Sequence, residues 1–203
     1  MAESLEQAWE LNQKGRNNII IGGNLWLKMG RRNIINAIDL SSLGLDKIEE
    51  DEGGFRIGCM ATLHDIETHE GLNKEFQNLF KEAVRHIVGV QFRNCATIGG
   101  SIFPKLGFSD VLTAFLACDT QVILYKKGEV PLREFIYIPT DNDILTHLYV
   151  KKDGRKTAYE SFRMTETDFP TITCAMAKTQ DGFETVLGAR PKHAEVVVDE
   201  VVA

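Results

Sequence analysis

Several sequence features that would assign a function directly are missing from this chain. No apolar run approaches the ~18 residues that a membrane-spanning helix needs. The N-terminal segment Met1–Leu5 carries neither the basic nor the apolar part of a secretory signal. The histidines form no HxH or HExxH pattern and GxSxG is absent, so neither a metal site nor a hydrolase nucleophile is supported. We therefore expect a cytoplasmic protein with no metal site of its own.

An excess of positive charge is also missing. The formal net charge is −6, whereas a nucleic-acid-binding protein presents a basic surface. The hydrophobic content of 43% is ordinary for a soluble globular protein, so the chain can build a core of its own. The composition therefore argues against a nucleic-acid partner and against a membrane protein.

The cysteines are few and lie far apart in the sequence. Cys59, Cys95, Cys118 and Cys174 form no CxxC pair, and this spacing suits neither a local zinc site nor an iron–sulfur motif. Their neighbours are largely apolar, which predicts buried structural thiols. If electrons pass through an iron–sulfur cluster, another polypeptide must carry that cluster.

Neither the dinucleotide motif GxGxxG nor the P-loop motif is present, but two Gly-Gly turns stand out. They lie in Ile19–Trp26 and in Arg93–Ser101, and each is predicted to follow an apolar, strand-like run. Glycine pairs permit positive φ angles, and successive N–H groups in such turns can hold anions. A third pair, Gly53-Gly54, has acidic neighbours and is predicted to be a hairpin turn. The dipeptide alone is therefore no sign of a ligand, and the flanking residues decide.

Those flanking residues resemble a known family. Ile21–Trp26 is similar to the motif A-G-G-T-x-L, and Arg93–Ser101 is similar to R-N-x-A-T-I-G-G-[SN], with Asp110 at the expected distance behind it. These are motifs of the FAD-binding domain in the flavoprotein subunits of molybdenum hydroxylases, which include xanthine dehydrogenase and carbon monoxide dehydrogenase. The resemblance extends from about residue 3 to about residue 195.

The resemblance implies a set of residues that bind FAD. The first motif would cradle the pyrophosphate, and the second would hold the diphosphate and ribityl region from the opposite side. Asp110 would accept hydrogen bonds from flavin hydroxyls, the backbone of Leu145 would lie near the cofactor, and Phe103 would pack against the isoalloxazine ring. The full set is Ile20, Ile21, Gly22, Gly23, Asn24, Leu25, Trp26, Thr97, Ile98, Gly99, Gly100, Ser101, Phe103, Asp110 and Leu145.

The chain departs from the family pattern, and two residue groups keep alternative interpretations. Asn24 replaces the usual Thr, and Met164 stands where the family often has a second basic residue. From the residues alone, the simpler interpretation of Asp110 is a carboxylate that stabilises a helix N-terminus. The basic residues 28, 31 and 32 would either assist the diphosphate or form a solvated helix face.

The expected fold class is α+β, of the PCMH-type FAD-binding fold. We expect an N-terminal α/β FAD subdomain (1–58), a second, mainly antiparallel FAD subdomain (59–153) and a shortened C-terminal β region (154–203), with FAD between the first two. The pattern predicts helix caps at Ser4, Thr62 and Ser109. It also predicts a helical stretch from residue 25 and one helix from about 73 to 88.

The function implied by the resemblance is electron transfer. The chain would be the FAD subunit of a molybdenum hydroxylase, with a [2Fe-2S] subunit and a molybdenum cofactor subunit as partners and an acceptor such as NAD. No residue of this chain would then act as a general acid or base. Two alternatives stay open: a stand-alone FAD oxidoreductase, and a non-catalytic scaffold subunit.

Overall fold

The computed structural model describes residues 1–139, 141–189 and 192–198, so the predicted region 154–203 lies partly outside the described residues. The predicted α+β fold is confirmed. Its helices are α1 (Leu5–Gln13), α2 (Leu63–Thr68), α3 (Glu70–Glu75), α4 (Leu79–Val84), α5 (Val90–Arg93), α6 (Ile98–Ile102), α7 (Asp110–Leu116) and α8 (Leu132–Phe135). Its strands are β1 (Asn18–Ile21), β2 (Asn36–Asp39), β3 (Ile48–Glu50), β4 (Gly54–Gly58), β5 (Thr120–Leu124), β6 (Gly128–Pro131), β7 (Leu145–Lys151), β8 (Lys156–Arg163), β9 (Pro170–Thr179), β10 (Gly182–Gly188) and β11 (Glu195–Val198). Across these ranges, no helix is both long and apolar enough to cross a membrane.

The N-terminal part is a small α/β unit. The Ser4 hydroxyl caps α1 by accepting the N–H of Gln7 at 3.1 Å, as predicted. Strands β1 and β2 pair in parallel, and α1 packs against both. The segment between the strands holds the first glycine turn and one 3₁₀ turn, Leu27–Met29, so the helical stretch predicted from residue 25 is wrong. Asn24 has φ of 55°, and Gly30 is already extended, which leaves room for a single turn.

A five-stranded antiparallel sheet forms the middle of the molecule, in the order β3-β4-β7-β5-β6. Side chains on β5 and β7 alternate between buried and partly exposed, because successive residues of a strand point to opposite faces. The β3–β4 connection is the predicted Gly53-Gly54 hairpin turn, in which both glycine N–H groups donate to the Asp51 carboxylate. The division of the chain at residues 58 and 153 stays a prediction.

The second sheet, ordered β11-β10-β9-β8, packs against α7. Every residue of α7 is buried, which makes it a central core element. The helix approaches the sheet closely where the Thr113 hydroxyl lies 2.9 Å from that of Thr173. A Cβ on Gly188 would lie 2.1 Å from the Thr113 Oγ1 atom, so glycine permits this approach. The N-terminus of α7, capped by Ser109 as predicted, is thereby fixed in place.

The single helix predicted over 73–88 is interrupted. Helix α3 ends at Glu75, α4 begins at Leu79, and Gln77 and Asn78 between them have positive φ. The cause is tertiary: the Thr157 hydroxyl donates to the carbonyl of Phe76 at 2.6 Å, and the Thr157 N–H donates to the Gln77 side chain at 2.7 Å. The Phe76 carbonyl, which would accept a backbone N–H in a continuous helix, is therefore bonded to β8 instead.

The segment before the second glycine motif is helical, not strand-like as predicted. Gly89 is extended and opens α5, and the Phe92 carbonyl then accepts the N–H groups of Cys95 and Ala96. This tight turn brings Cys95 to the surface, so the prediction of a buried thiol is wrong for Cys95. Cys59 and Cys118 are buried as predicted, and Cys174 is half-buried.

Candidate functional site

The first glycine turn follows β1 and packs directly on the second motif. Gly23 has φ of 65°, and a Cβ at this position would lie 1.8 Å from the carbonyl oxygen of Cys95. A Cβ on Gly22 would lie 2.4 Å from the Thr97 hydroxyl oxygen. The N–H groups of Gly23 and Asn24 have no hydrogen-bond acceptor within the described part of the chain. The glycines therefore join the two motifs and leave N–H donors in the first turn.

The second motif is the N-terminus of a helix. Thr97 is the N-cap of α6 and accepts the N–H of Gly100 at 3.2 Å. The N–H of Gly99 donates to the Cys59 carbonyl at 2.8 Å, and that of Ile98 donates to the Ala61 carbonyl at 2.9 Å. These donors are engaged inside the protein, and the contact of this motif with the diphosphate stays a prediction. Gly99 permits close packing of the motif on the segment at Cys59. A Cβ on Gly99 would lie 2.9 Å from both the Cβ and the carbonyl oxygen of Cys59.

Both motifs line one cavity with a volume of about 850 Å³. This volume lies within the range of about 300–1,000 Å³ that is typical of small-molecule and cofactor sites. Of the residues predicted to bind a cofactor, two do not line the cavity: Gly23, which faces Cys95, and Ile98, whose side chain is buried in the core. The lining residues of the predicted set are Ile20, Ile21, Gly22, Asn24, Leu25, Trp26, Thr97, Gly99, Gly100, Ser101, Phe103, Asp110 and Leu145.

Asp110 lines the cavity at the start of α7 and belongs to a buried polar network. It is 4% exposed and accepts hydrogen bonds at Oδ1 from the Tyr159 hydroxyl, at 2.6 Å, and from Arg163 Nη2. Burial raises the pKa of Asp110, and these two donors act in the opposite direction. Burial also raises the pKa of Tyr159, which keeps its hydroxyl protonated as a donor. Sequence reasoning selected Asp110 but missed Tyr159 and Arg163, which lie 49 and 53 residues further along the chain.

An aromatic cluster borders the same cavity, formed by Trp26, Phe108 and Phe169. The ring centroid of Trp26 lies 5.7 Å from that of Phe108 and 5.6 Å from that of Phe169, and the two phenyl rings are 4.8 Å apart. Trp26 and Phe169 are 46% and 52% exposed, so much of their apolar area is uncovered. Such rings suit a planar aromatic ligand. Only Trp26 was in the predicted set; Phe103 also lines the cavity, with its ring 6.0 Å from Phe135.

Two arginines and a loop make another part of the lining polar. Arg16 and Arg32 line the cavity, and a guanidinium N–H of Arg32 donates to the Arg16 carbonyl. The loop before β7 is fixed by Asp143, whose carboxylate accepts the N–H groups of Lys126 and Lys127 at 3.1 and 3.0 Å. This part of the lining therefore combines two guanidinium groups with the carboxylates of Asp141 and Asp143. Of these residues, the sequence singled out only Arg32, in its basic cluster.

A family model with the description "FAD binding domain in molybdopterin dehydrogenase" matches residues 1–150. The chain is 26% identical over 189 residues to the uncharacterized protein YgfM of Escherichia coli strain K12, covering 91% of this chain and 71% of that protein. It is also 26% identical over 197 residues to the glyceraldehyde dehydrogenase medium chain of Sulfolobus acidocaldarius, covering 90% of this chain and 70% of that protein.

A solved structure has a similar fold. A chain of carbon monoxide dehydrogenase from Hydrogenophaga pseudoflava, in a form that lacks the Mo-pyranopterin moiety of the molybdenum cofactor, superimposes with a TM-score of 0.83 at 22% identity. The match covers 96% of this chain and 75% of that chain. At this level of identity, the likeness concerns the fold.

Proposed function

Because the chain belongs to the family of FAD-binding domains in molybdopterin dehydrogenases, we propose that it is the electron-transfer subunit of a molybdenum hydroxylase assembly. FAD is the cofactor of this family, and the chain is a flavoprotein subunit of an oxidoreductase. The proposal adds a path for electrons: from a [2Fe-2S] partner, through FAD held in the cavity described above, to an acceptor such as NAD.

The observation that carries the proposal is the packing of the two glycine motifs around one cavity. The motifs are separated by about 70 residues, yet Gly22 approaches Thr97 so closely that a Cβ would lie 2.4 Å from its hydroxyl oxygen. The cavity of about 850 Å³ runs from this junction to the aromatic cluster, so it offers both polar and flat apolar walls. These features fit a ligand that combines a pyrophosphate with a planar ring system.

Each part of the cavity suits a different part of FAD. The free N–H group of Asn24, which lines the cavity, suits the pyrophosphate, as anion-binding backbone does elsewhere. Arg16 and Arg32 add positive charge on this lining, and the cluster of Trp26, Phe108 and Phe169 suits the ring system. The protein would bind and orient the cofactor and limit access of water to it. Bound FAD supplies the ability to exchange electrons singly or in pairs.

The partners are proposed from the same relationship. The cysteine spacing offers no local iron–sulfur motif in the sequence, so an iron–sulfur cluster would belong to another subunit. The similar Sulfolobus protein is named as the medium chain of a dehydrogenase, and the similar solved structure belongs to an enzyme with a molybdenum cofactor. A [2Fe-2S] subunit and a molybdenum cofactor subunit are therefore the proposed neighbours.

The first experiment titrates the purified chain with FAD and follows tryptophan emission. The chain has two tryptophans; Trp26 lines the cavity, whereas Trp9 lies on α1 beside Lys126 and outside the cavity lining. Bound FAD should quench Trp26 by contact as well as by energy transfer, whereas only energy transfer reaches Trp9. The fractional quenching should therefore be larger in Trp9→Phe than in Trp26→Phe. A folded chain that takes up no FAD would contradict the proposal and leave a scaffold subunit.

The second experiment tests the electron path. The tagged chain would be isolated from its source cells under native conditions, and iron, molybdenum and flavin would be measured in the complex. We expect all three to be present, and we expect NAD to reoxidise the flavin after reduction of the complex. A flavin-loaded chain isolated without iron or molybdenum would favour a stand-alone oxidoreductase instead.

A further inference from the structure

Arg163 has a buried guanidinium with one unused donor. Its side chain is 7% exposed at the end of β8. Nη1 donates to the carbonyl of Asp168 at 2.6 Å and Nη2 donates to Asp110, but Nε has no acceptor in the part of the chain that the structure describes. A buried N–H without an acceptor costs about 1–3 kcal/mol, and more when the group is charged. Native proteins leave few such groups, and those that occur need an explanation.

A functional role of the guanidinium would explain why this cost is retained. Arg163 is part of the cavity lining, together with Asp110 and the aromatic cluster. The Asp168 carbonyl that it binds immediately precedes Phe169, whose ring lies 4.8 Å from that of Phe108. Arg163 therefore borders the part of the site whose walls suit a planar aromatic ring.

The Nη2 donor of Arg163 is fixed by a buried carboxylate, which a buried hydroxyl also contacts. Asp110 and Tyr159 are 4% and 7% exposed, and the Tyr159 hydroxyl donates to the same Oδ1 atom that Arg163 binds. A guanidinium suits this arrangement because it is planar, keeps its charge and carries several donors in fixed directions. A lysine ammonium in its place would keep the charge without the fixed geometry.

We propose that Arg163 is the cationic residue that contacts the flavin ring of bound FAD, and that Asp110 and Tyr159 position Arg163. The proposal rests on the proposed function, since it assumes that the cavity holds FAD. In this arrangement Asp110 contributes mainly by holding Arg163, beyond any direct contact with the cofactor.

A cation beside the flavin ring has a measurable consequence. Reduction adds negative charge to the ring system, and a nearby positive charge stabilises the reduced form more than the oxidised form. Arg163 should therefore raise the reduction potential of the bound flavin. Asp110 neutralises part of this effect, so the two residues should act on the potential with opposite sign.

The experiment compares FAD-loaded wild type with Arg163→Met, Arg163→Lys and Asp110→Asn. We measure the reduction potential by dye-coupled titration and the FAD dissociation constant by fluorescence, on the full chain. Arg163→Met should lower the potential and weaken FAD binding about tenfold or more, which corresponds to about 1.4 kcal/mol. Arg163→Lys should have a reduction potential between those of Arg163→Met and wild type. Asp110→Asn should have a potential above that of wild type.

Arg155→Met is the matched control. The Arg155 side chain is also 7% exposed and is bound to Asp153 and to the carbonyl of Ala117, but it does not line the cavity. Its replacement should lower the free energy of unfolding without changing the flavin potential. The comparison separates loss of a buried arginine from loss of the cation beside the flavin.

The outcomes are distinct. If wild type binds FAD and Arg163→Met keeps both its potential and its affinity, the role of Arg163 is refuted while the proposed function stands. If Arg163→Met does not fold, Asp110→Asn and Arg163→Lys decide, and a potential unchanged or lowered in Asp110→Asn refutes the proposal. A wild-type chain that binds no FAD refutes the proposed function itself.

Discussion

Replacement of Gly23 by alanine tests whether the glycines serve to join the two motifs. Gly23 has φ of 65°, a conformation that costs an L-residue about 1–2 kcal/mol. Its Cβ would also lie 1.8 Å from the Cys95 carbonyl oxygen, so one backbone segment must move. Forcing extra volume into a packed site costs about 1–3 kcal/mol. We therefore expect Gly23→Ala to lower the free energy of unfolding by about 2–5 kcal/mol.

Gly44→Ala is the matched control for this variant. Gly44 has φ of 68°, but a Cβ there would meet no atom within 4 Å, and the residue does not line the cavity. Only the backbone term of about 1–2 kcal/mol applies. The entropy that alanine removes from the unfolded chain is the same in both variants and cancels in the comparison.

The assay is urea unfolding of both variants without FAD, because a bound ligand would add stability of its own. The affinity for added FAD is then measured under conditions where each variant is folded. We expect Gly23→Ala to be the less stable variant and to bind FAD more weakly, and Gly44→Ala to bind it like wild type. Equal losses of stability in the two variants would refute the inferred contact between Gly23 and Cys95.

Three further predictions concern other parts of the chain. Burial acts to raise the pKa of Glu67, but hydrogen bonds from Arg93 hold this pKa below its ordinary value of 4.5. The pair therefore stabilises the fold above pH 4.5, and this stabilisation is lost as the pH falls through the pKa of the folded state. Glu67→Gln should therefore flatten the acid dependence of the unfolding free energy, and an unchanged pH profile would contradict this. Tyr159→Phe should destabilise the apoprotein by about 1–3 kcal/mol in urea unfolding, because buried Asp110 loses a donor; a change below about 0.5 kcal/mol, the range of ordinary surface substitutions, would count against it. A thiol reagent should label exposed Cys95 first in peptide mapping, since burial suppresses ionisation of the enclosed thiols, and faster labelling of any other cysteine would contradict the fold.

Local sequence determined the features that depend on neighbouring residues. Ser4, Thr62 and Ser109 cap helices as predicted, because each hydroxyl accepts an N–H three residues ahead in its own segment. The Gly53-Gly54 hairpin follows for the same reason, through the Asp51 carboxylate. The two motifs also indicated the family, because their glycines can be read directly from the sequence. The structure shows that several of these glycines permit close approach of neighbouring segments.

The helix predicted over 73–88 shows the limit of such reasoning. Its apolar periodicity is real, and Phe76, Leu79, Phe80 and Val84 are all buried. Yet the helix breaks at Gln77 and Asn78, where Thr157 on a distant strand bonds to the Phe76 carbonyl and to the Gln77 side chain. Periodicity shows which side chains are buried but not which partner the backbone will find.

The candidate site likewise combines residues that the sequence indicated with residues that only the fold revealed. The family resemblance of the sequence predicted that both glycine motifs, Asp110 and Phe103 contribute to one cofactor site, and residues of both motifs, Asp110 and Phe103 line one cavity. Only the tertiary structure brought Tyr159 and Arg163 to Asp110 and engaged the N–H groups of the second motif inside the protein. These features depend on contacts between segments far apart in the chain, and no local pattern encodes such contacts. Burial of these segments strengthens each electrostatic interaction and raises the free-energy cost of each unpaired donor.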